Sequence, residues 1–288
     1  MRLIVLSGLS GSGKSVALNM LEDLGWYCVD NMPAGLVNAF ISHTVRSREA
    51  TYQRAAVGLD ARNEPSEIVG VPRQVAELRR SGIACEIIYL HADESVLLRR
   101  YGETRRRHPL ARPGMDLRTA IEAERRLLEP ITYAADLVID SSRLSVHELR
   151  ELIRGRVEQR RDGRLSIMFE SFGFKHGIPA DADFVFDART LPNPYWEPAL
   201  AALTGRDAAV IEFLESHPQV REYYEDVRAF LEKRVPEYLR NNRGYLTVAI
   251  GCTGGQHRSV YLVDRLAAHF GERFPQVLAR HGSLAERH

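Results

Sequence analysis

The sequence predicts an α/β protein of two domains, the first a parallel sheet with helices on both faces, the second a smaller α/β unit. Two observations carry this. Short apolar runs alternate with longer amphipathic ones through the first half, and a unit of apolar strand, glycine loop and amphipathic helix stands near each end of the chain. Alternation of that kind belongs to strands joined by crossover helices. With 288 residues there is chain enough for two ordinary domains.

The first-half strands are RLIVLS (2 to 7), WYCVD (26 to 30), RAAVGLD (54 to 60), CEIIYL (85 to 90) and DLVID (136 to 140), with helical patterns between them. A charged helical stretch, VHELRELIRGRVEQRRDG, follows and loses its large apolar residues after Val157. Its end, near Arg160 to Gly163, is the expected boundary, giving a domain over 1–160 and another over 163–288. The second domain opens with two β-like starts, LSIMFESFGFKHG (165 to 177) and DFVFDART (183 to 190). Helical patterns over 207–215 and 220–239 come next, and then YLTVAIGCTGGQHRSVYLVDRLAAHF (245 to 270).

Composition narrows the classes of function. Thirty-nine Lys and Arg against 38 Asp and Glu leave a net charge of +1, so any preference for nucleic acid has to come from local patches. Cys28, Cys85 and Cys252 are odd in number and widely spaced, which suits neither a disulfide framework nor a zinc site. The apolar run Leu3 to Leu6 is too short for a signal peptide, and no stretch reaches membrane-spanning length. A cytoplasmic protein is expected.

Gly8, Leu9, Ser10, Gly11, Ser12, Gly13, Lys14 and Ser15 form a complete Walker A pattern between the first strand and a helix. Unpaired amides and the helix dipole converge in such a loop, and its glycines allow the backbone angles and the close approach of phosphate. This marks the first domain as a P-loop NTPase sheet of the kinase-like kind. Lys14 is expected to reach the β and γ phosphates and Ser15 to ligate Mg²⁺. Asp30 and Asp60, ending strands two and three, are candidates to support the ion, with Asp30 the more suggestive; both residues are also common as turn formers.

The segment LLRRYGETRRRHPLARPG carries Arg99, Arg100, Arg105, Arg106, Arg107 and Arg112 against one acid, Glu103, a cluster suited to phosphoryl charge or an RNA backbone. The second glycine loop, Gly251 to Ser259, is expected to bind an anion through its amides, with Arg258 as a clamp and His257 as a titratable donor. It lacks the Lys-Ser pair of a Walker A loop. Cys252 and Arg258 stand in the C-x5-R spacing of cysteine phosphatases, a rival reading weakened by Gly251 in place of His and by the lack of an assignable acid.

GLSGSGKS, VDNMP, GLDARN, RRRHPL, SFGFKHGIP, DARTLPNPYW and GCTGGQHRSV together resemble the RapZ/YvcJ family of bacterial nucleotide-binding proteins along essentially the whole chain. The resemblance implies ATP at Gly8 to Ser15, GTP contact at Asp60, Ala61, Arg62 and Asn63, and weak ATPase and GTPase activity. It further implies a regulatory protein, some members being RNase adapters that bind small RNA and an endoribonuclease. Their C-terminal domain senses a phosphorylated amino sugar, which here falls on Cys252, Thr253, Gly254, His257 and Arg258, with His176 and Tyr195 nearby. A homo-oligomer is implied too. One departure stands out: RNA-binding members carry a strongly basic tail, whereas the last residues here read RHGSLAERH, with Arg280 and Arg287 offset by Glu286. A small-molecule kinase, using the arginine-rich segment over the P-loop, is the alternative.

Overall fold

A computed structural model describes residues 1–47, 52–104, 107–158, 165–241 and 243–284. The chain divides into two compact units, Met1–Glu158 and Gln159–His288. The boundary expected from sequence, Arg160 to Gly163, lies outside the described residues, as do Arg105, Arg106, Glu286 and Arg287.

The first unit runs β1 (Arg2–Gly8), α1 (Lys14–Asp23), β2 (Tyr27–Val29), α2 (Val37–Ser47), β3 (Arg54–Gly58), α3 (Pro65–Arg80), β4 (Ala84–His91), α4 (Glu94–Thr104), α5 (Leu117–Ala134), β5 (Leu137–Asp140) and α6 (Val146–Ile153). Its strands lie in the order β2-β3-β1-β4-β5, every pair parallel. From β1 the chain goes out to β2, returns through β3 and then crosses to β4. That reversal opens a crevice at the C-terminal end of β1, where Gly8 leads into the first glycine loop. β1 is buried on both faces, as a central parallel strand must be, with Leu3 and Val5 in one core with Val57, Ile87 and Tyr89. Local signals fix the helix starts: the Asp116 carboxylate accepts from Thr119 N at α5, and Ser145 with Glu148 completes a capping box at α6.

The second unit contains β6 (Ser166–Gly173), β7 (Phe184–Asp187), α7 (Ala208–Glu215), α8 (Pro218–Arg240), β8 (Tyr245–Cys252), α9 (Arg258–Gly271) and β9 (Val277–His281). This sheet is also wholly parallel, in the order β7-β8-β6-β9. The α/β class expected for both units is the one observed. β9 was not anticipated. Its sequence, VLARH, has no apolar alternation because it is an edge strand, half-buried except at the exposed Ala279, whose Arg280 pairs in register with Glu170 and lies 3.5 Å from that carboxylate.

Candidate functional site

The first loop leaves β1 at Gly8 with φ of +146°, and a side chain there would put its Cβ 2.3 Å from the carbonyl oxygen of Leu90 on β4. Only glycine lets the loop peel off the sheet so close to its neighbour. The loop then runs onto the N-terminus of α1, and Lys14 Nζ donates to the Gly8 carbonyl at 2.6 Å. Burial pulls the Lys14 ammonium below the usual lysine range, against the opposing pull of the Glu124, Asp60 and Asp30 carboxylates. An added phosphate would favour its charged form further.

Beside the loop lies a cavity of about 1000 Å³. Ser10 through Ser15 form one wall, and Asp30, Asn31, Asp60 and Arg62 line it from the ends of β2 and β3. Asn31 holds a left-handed φ of +52°, with Asp30 Oδ1 accepting from its amide at 2.8 Å. Asp60 is buried and accepts from Arg62 N at 2.9 Å. A hydroxyl at Ser15 and two carboxylates are hard oxygen donors, so the residues present fit Mg²⁺.

Of the four GLDARN residues singled out, Asp60 and Arg62 line the cavity. Ala61 is buried, while Asn63 fastens the loop after β2, accepting from Ala34 N at 2.6 Å and donating to Met32 O at 3.3 Å. Gly8 starts the turn, and Leu9 packs in a small core with Ala92, Leu97 and Ile121.

The arginine-rich segment does reach this cavity, through Arg99, Arg100 and Arg107. Arg100, however, is committed to protein: it donates to Gly11 O at 2.9 Å and to Ser141 O at 2.7 Å. Ser141 in turn donates to Ser12 O at 2.7 Å, so Arg100 and Ser141 brace the loop from outside.

Sequence reasoning missed the loop's other brace, Glu124 on α5. This fully buried carboxylate accepts from Ser10 N at 2.9 Å and Ser10 Oγ at 2.6 Å, and His108 Nε2 lies 3.1 Å away. Burial pushes the carboxyl up, but the His108 hydrogen bond, the Lys14 charge and the two Ser10 donors outweigh it and hold it below the ordinary glutamate range. In the sequence it stands three residues after Ile121 and four before Leu128, on the apolar face of its helix, and that spacing is the signal that could have found it.

The second loop, from β8 to α9, has a different interior. Gly255, with φ of +73°, would place a Cβ 2.6 Å from Gly173 N and 2.5 Å from Ser283 Oγ. Cys252 is buried; its sulfur accepts from Gly255 N at 3.2 Å and lies 3.3 Å from Ser259 Oγ. Burial raises the thiol, yet the Ser259 and Gly255 hydrogen bonds and the Arg258 charge bring it below the usual cysteine value.

Arg258, read from spacing as a clamp, is 3% exposed and donates through Nη1 to the carbonyls of Arg189 and Leu191, both at 2.9 Å; Nη2 lies 3.4 Å from Thr253 Oγ1. His257 is also buried, and burial lowers its pKa. His176 lies exposed in the turn after β6 and Tyr195 is exposed in a separate turn. Sequence reading overlooked Lys175: it is exposed, its amide donates to Thr253 O at 3.3 Å, and its Nζ lies 4.0 Å from where a Cβ on Gly254 would stand.

The loop, crevice and sheet define a phosphate-loop α/β protein with a second glycine loop in a unit of its own. Residues 1–161 match the RapZ-like N-terminal domain and residues 165–285 the RapZ C-terminal domain, so the chain belongs to the RapZ family. It is 54% identical to a nucleotide-binding protein of Thioalkalivibrio sulfidiphilus, over 99% of this chain and 100% of that one. A nucleotide-binding protein of Methylococcus capsulatus is 49% identical, over 99% and 97%. Among solved structures it is similar to a shikimate kinase from Bacteroides thetaiotaomicron, with 16% identity, a TM-score of 0.35, and coverage of 53% of this chain and 98% of that one. A gluconokinase from Sinorhizobium meliloti gives 19%, 0.34, and coverage of 53% and 89%.

Proposed function

We propose that the protein binds a nucleoside triphosphate with Mg²⁺ in the Gly8 to Ser15 loop, hydrolyses it slowly, and uses it as one input of a regulatory switch. The observation that carries this is the placement of Lys14 and Ser15 with Asp30 and Asp60 on one cavity. The names of the relatives, which describe nucleotide-binding proteins, support the same reading. Ser15, with Asp30 or Asp60, would hold the ion, which when bound neutralises β and γ phosphate charge. Lys14 would hold the phosphates and stabilise the charge that develops on them. ATP fits the loop itself, and Asp60 and Arg62 are where GTP contact would fall.

The second input is a phosphorylated amino sugar, held by the amides of the Gly251 to Ser259 loop with Cys252, Thr253 and Gly254. Lys175 would supply the exposed cation there. His257 and Arg258 act from beneath by shaping the loop, and His176 and Tyr195 are the further contacts that the family resemblance implies. A cysteine phosphatase is a poorer reading, since the thiol is buried and Arg258 is committed to backbone carbonyls.

The remaining roles rest on family membership: a cytoplasmic homo-oligomer that presents small RNA to an endoribonuclease. Among the described residues no helix is long and apolar enough to cross a membrane. Arg280 is engaged with Glu170, so neutralising it should leave the salt dependence of any RNA binding nearly unchanged, whereas a free phosphate contact would change the slope by about 1.

The experiment is Lys14→Ala, assayed for nucleotide affinity and turnover. Loss of both supports the reading, and retention of both refutes it. One observation keeps a small-molecule kinase in view: Asp30, Asn31, Asp60 and Arg62 share the cavity with the P-loop, where a phosphoryl acceptor would sit. Turnover near ~1 s⁻¹ that requires an added acceptor would favour the kinase over slow, acceptor-independent hydrolysis.

A further inference from the structure

The first loop and the arginine-rich segment are joined by a buried hydrogen-bond chain that no part of the proposed function uses. Ser10 gives both its amide and its hydroxyl to Glu124, at 2.9 and 2.6 Å. On the other side of the carboxylate stands His108 Nε2, 3.1 Å away, and His108 Nδ1 lies 3.2 Å from the amide of Leu110. An amide can only donate, so Nδ1 accepts, and in the neutral ring Nε2 carries the hydrogen and gives it to Glu124. Glu124 is fully buried, His108 is 4% exposed and Ser10 8%. Tyr101 of α4 packs on the histidine, with ring centroids 5.4 Å apart.

A buried carboxylate with three donors is costly to disturb. Its two ends, moreover, lie on different walls of the cavity. Ser10 begins the phosphate loop's wall, while Arg107 and Pro109, on either side of His108, line the cavity from the arginine-rich segment. Glu124 itself lies outside the lining. Ser10 is therefore joined by hydrogen bonds to the backbone that carries Arg107.

We propose that Glu124 and His108 are positioning residues that couple phosphate occupancy of the first loop to the order of the 107–111 segment. Tightening of the loop on phosphate draws on Ser10, Glu124 and His108 in turn and steadies the Leu110 amide, holding Arg107 at the cavity. This rests on the reading that the first loop binds nucleoside triphosphate.

The test follows amide exchange at Leu110 in the isotopically labelled full chain, with and without saturating Mg·ATP, alongside ATP affinity by calorimetry. Two variants cut the chain at different links. His108→Asn keeps an acceptor for Leu110 N and loses the donor to Glu124; His108→Gln keeps the donor and loses the acceptor.

In the unmodified protein, ATP should slow exchange at Leu110 by roughly 10-fold. His108→Asn should bind ATP about 10-fold more weakly, the loss of one hydrogen bond to a charged group, and show no ATP-dependent slowing. His108→Gln should bind within about 3-fold of the unmodified protein and also show no slowing. If His108→Asn does not fold, His108→Gln still decides the matter, because it breaks the chain at Leu110 while the link to Glu124 stays. Slowing that persists in the variants overturns the proposal, as does ATP binding to the unmodified protein without any change at Leu110, and both outcomes leave the binding reading intact. Failure of the unmodified protein to bind ATP removes both.

Discussion

The two glycine loops share a frame and differ in where they send their charged side chains. Each leaves a buried parallel strand, turns on a glycine with no room for a Cβ, and enters a helix. In the first, the braces are Glu124, Arg100 and Ser141, all supplied by other elements, so Lys14 and Ser15 remain on the cavity. In the second, the loop's own Arg258 and His257 are buried, Arg258 against the carbonyls of Arg189 and Leu191. A strand, loop and helix motif thus sets a glycine loop at a helix N-terminus in both places. The source of the bracing decides whether the motif's cations are left for a ligand.

The comparison breaks most readily at the glycines. Gly8→Ala should destabilise the first unit by about 3 to 5 kcal/mol, since strain at a left-handed φ adds to a clash with the Leu90 carbonyl. Gly82→Ala serves as the control: it also has positive φ, but nothing lies within 4 Å of where its methyl group would stand, and it should cost about 1 kcal/mol. Urea unfolding measures both, and equal costs would remove the argument for a close approach at β4.

Arg258→Ala probes the contrast from the other side. Losing a buried guanidinium that satisfies the Arg189 and Leu191 carbonyls should cost the second unit about 2 to 4 kcal/mol even without ligand. A variant as stable as the parent would return Arg258 to the role of ligand clamp.

Glu124→Gln should cost about 1 to 3 kcal/mol at pH 7. The carboxyl is held below its ordinary value of 4.5, so its stabilisation is present above that value and lost as pH falls through the depressed one. The stability gap between parent and variant should therefore close as the pH is lowered below 4.5, as read by denaturant melts across pH. A gap that widens instead would mean that Glu124 is not held as the anion.

Much of this was legible in the sequence, because the features concerned are local. Strand, glycine loop and helix occupy consecutive residues, and all five strands of the first sheet announced themselves as apolar runs. What stayed illegible depends on long-range direction. Glu124 meets Ser10 across 114 residues; its spacing from Ile121 and Leu128 puts it on the buried face of its helix, but not which loop it would meet. Arg258 had the right type and spacing for a clamp, but only the 188–191 segment packed against it reveals where its Nη1 points. Lys175 was passed over for the histidine beside it, since neighbours in a turn can face different ways. β9 lacked alternation because an edge strand needs none.

The central claim is that the two loops are separate inputs with unlike chemistry. Calorimetric titration of Mg·ATP and of glucosamine 6-phosphate into the parent, Lys14→Ala and Thr253→Val proteins tests it most directly. Lys14→Ala should weaken ATP by about 100-fold and leave the sugar phosphate unchanged, and Thr253→Val should do the reverse to a smaller degree. ATP binding that survives Lys14→Ala, or one variant that abolishes both ligands, would contradict it.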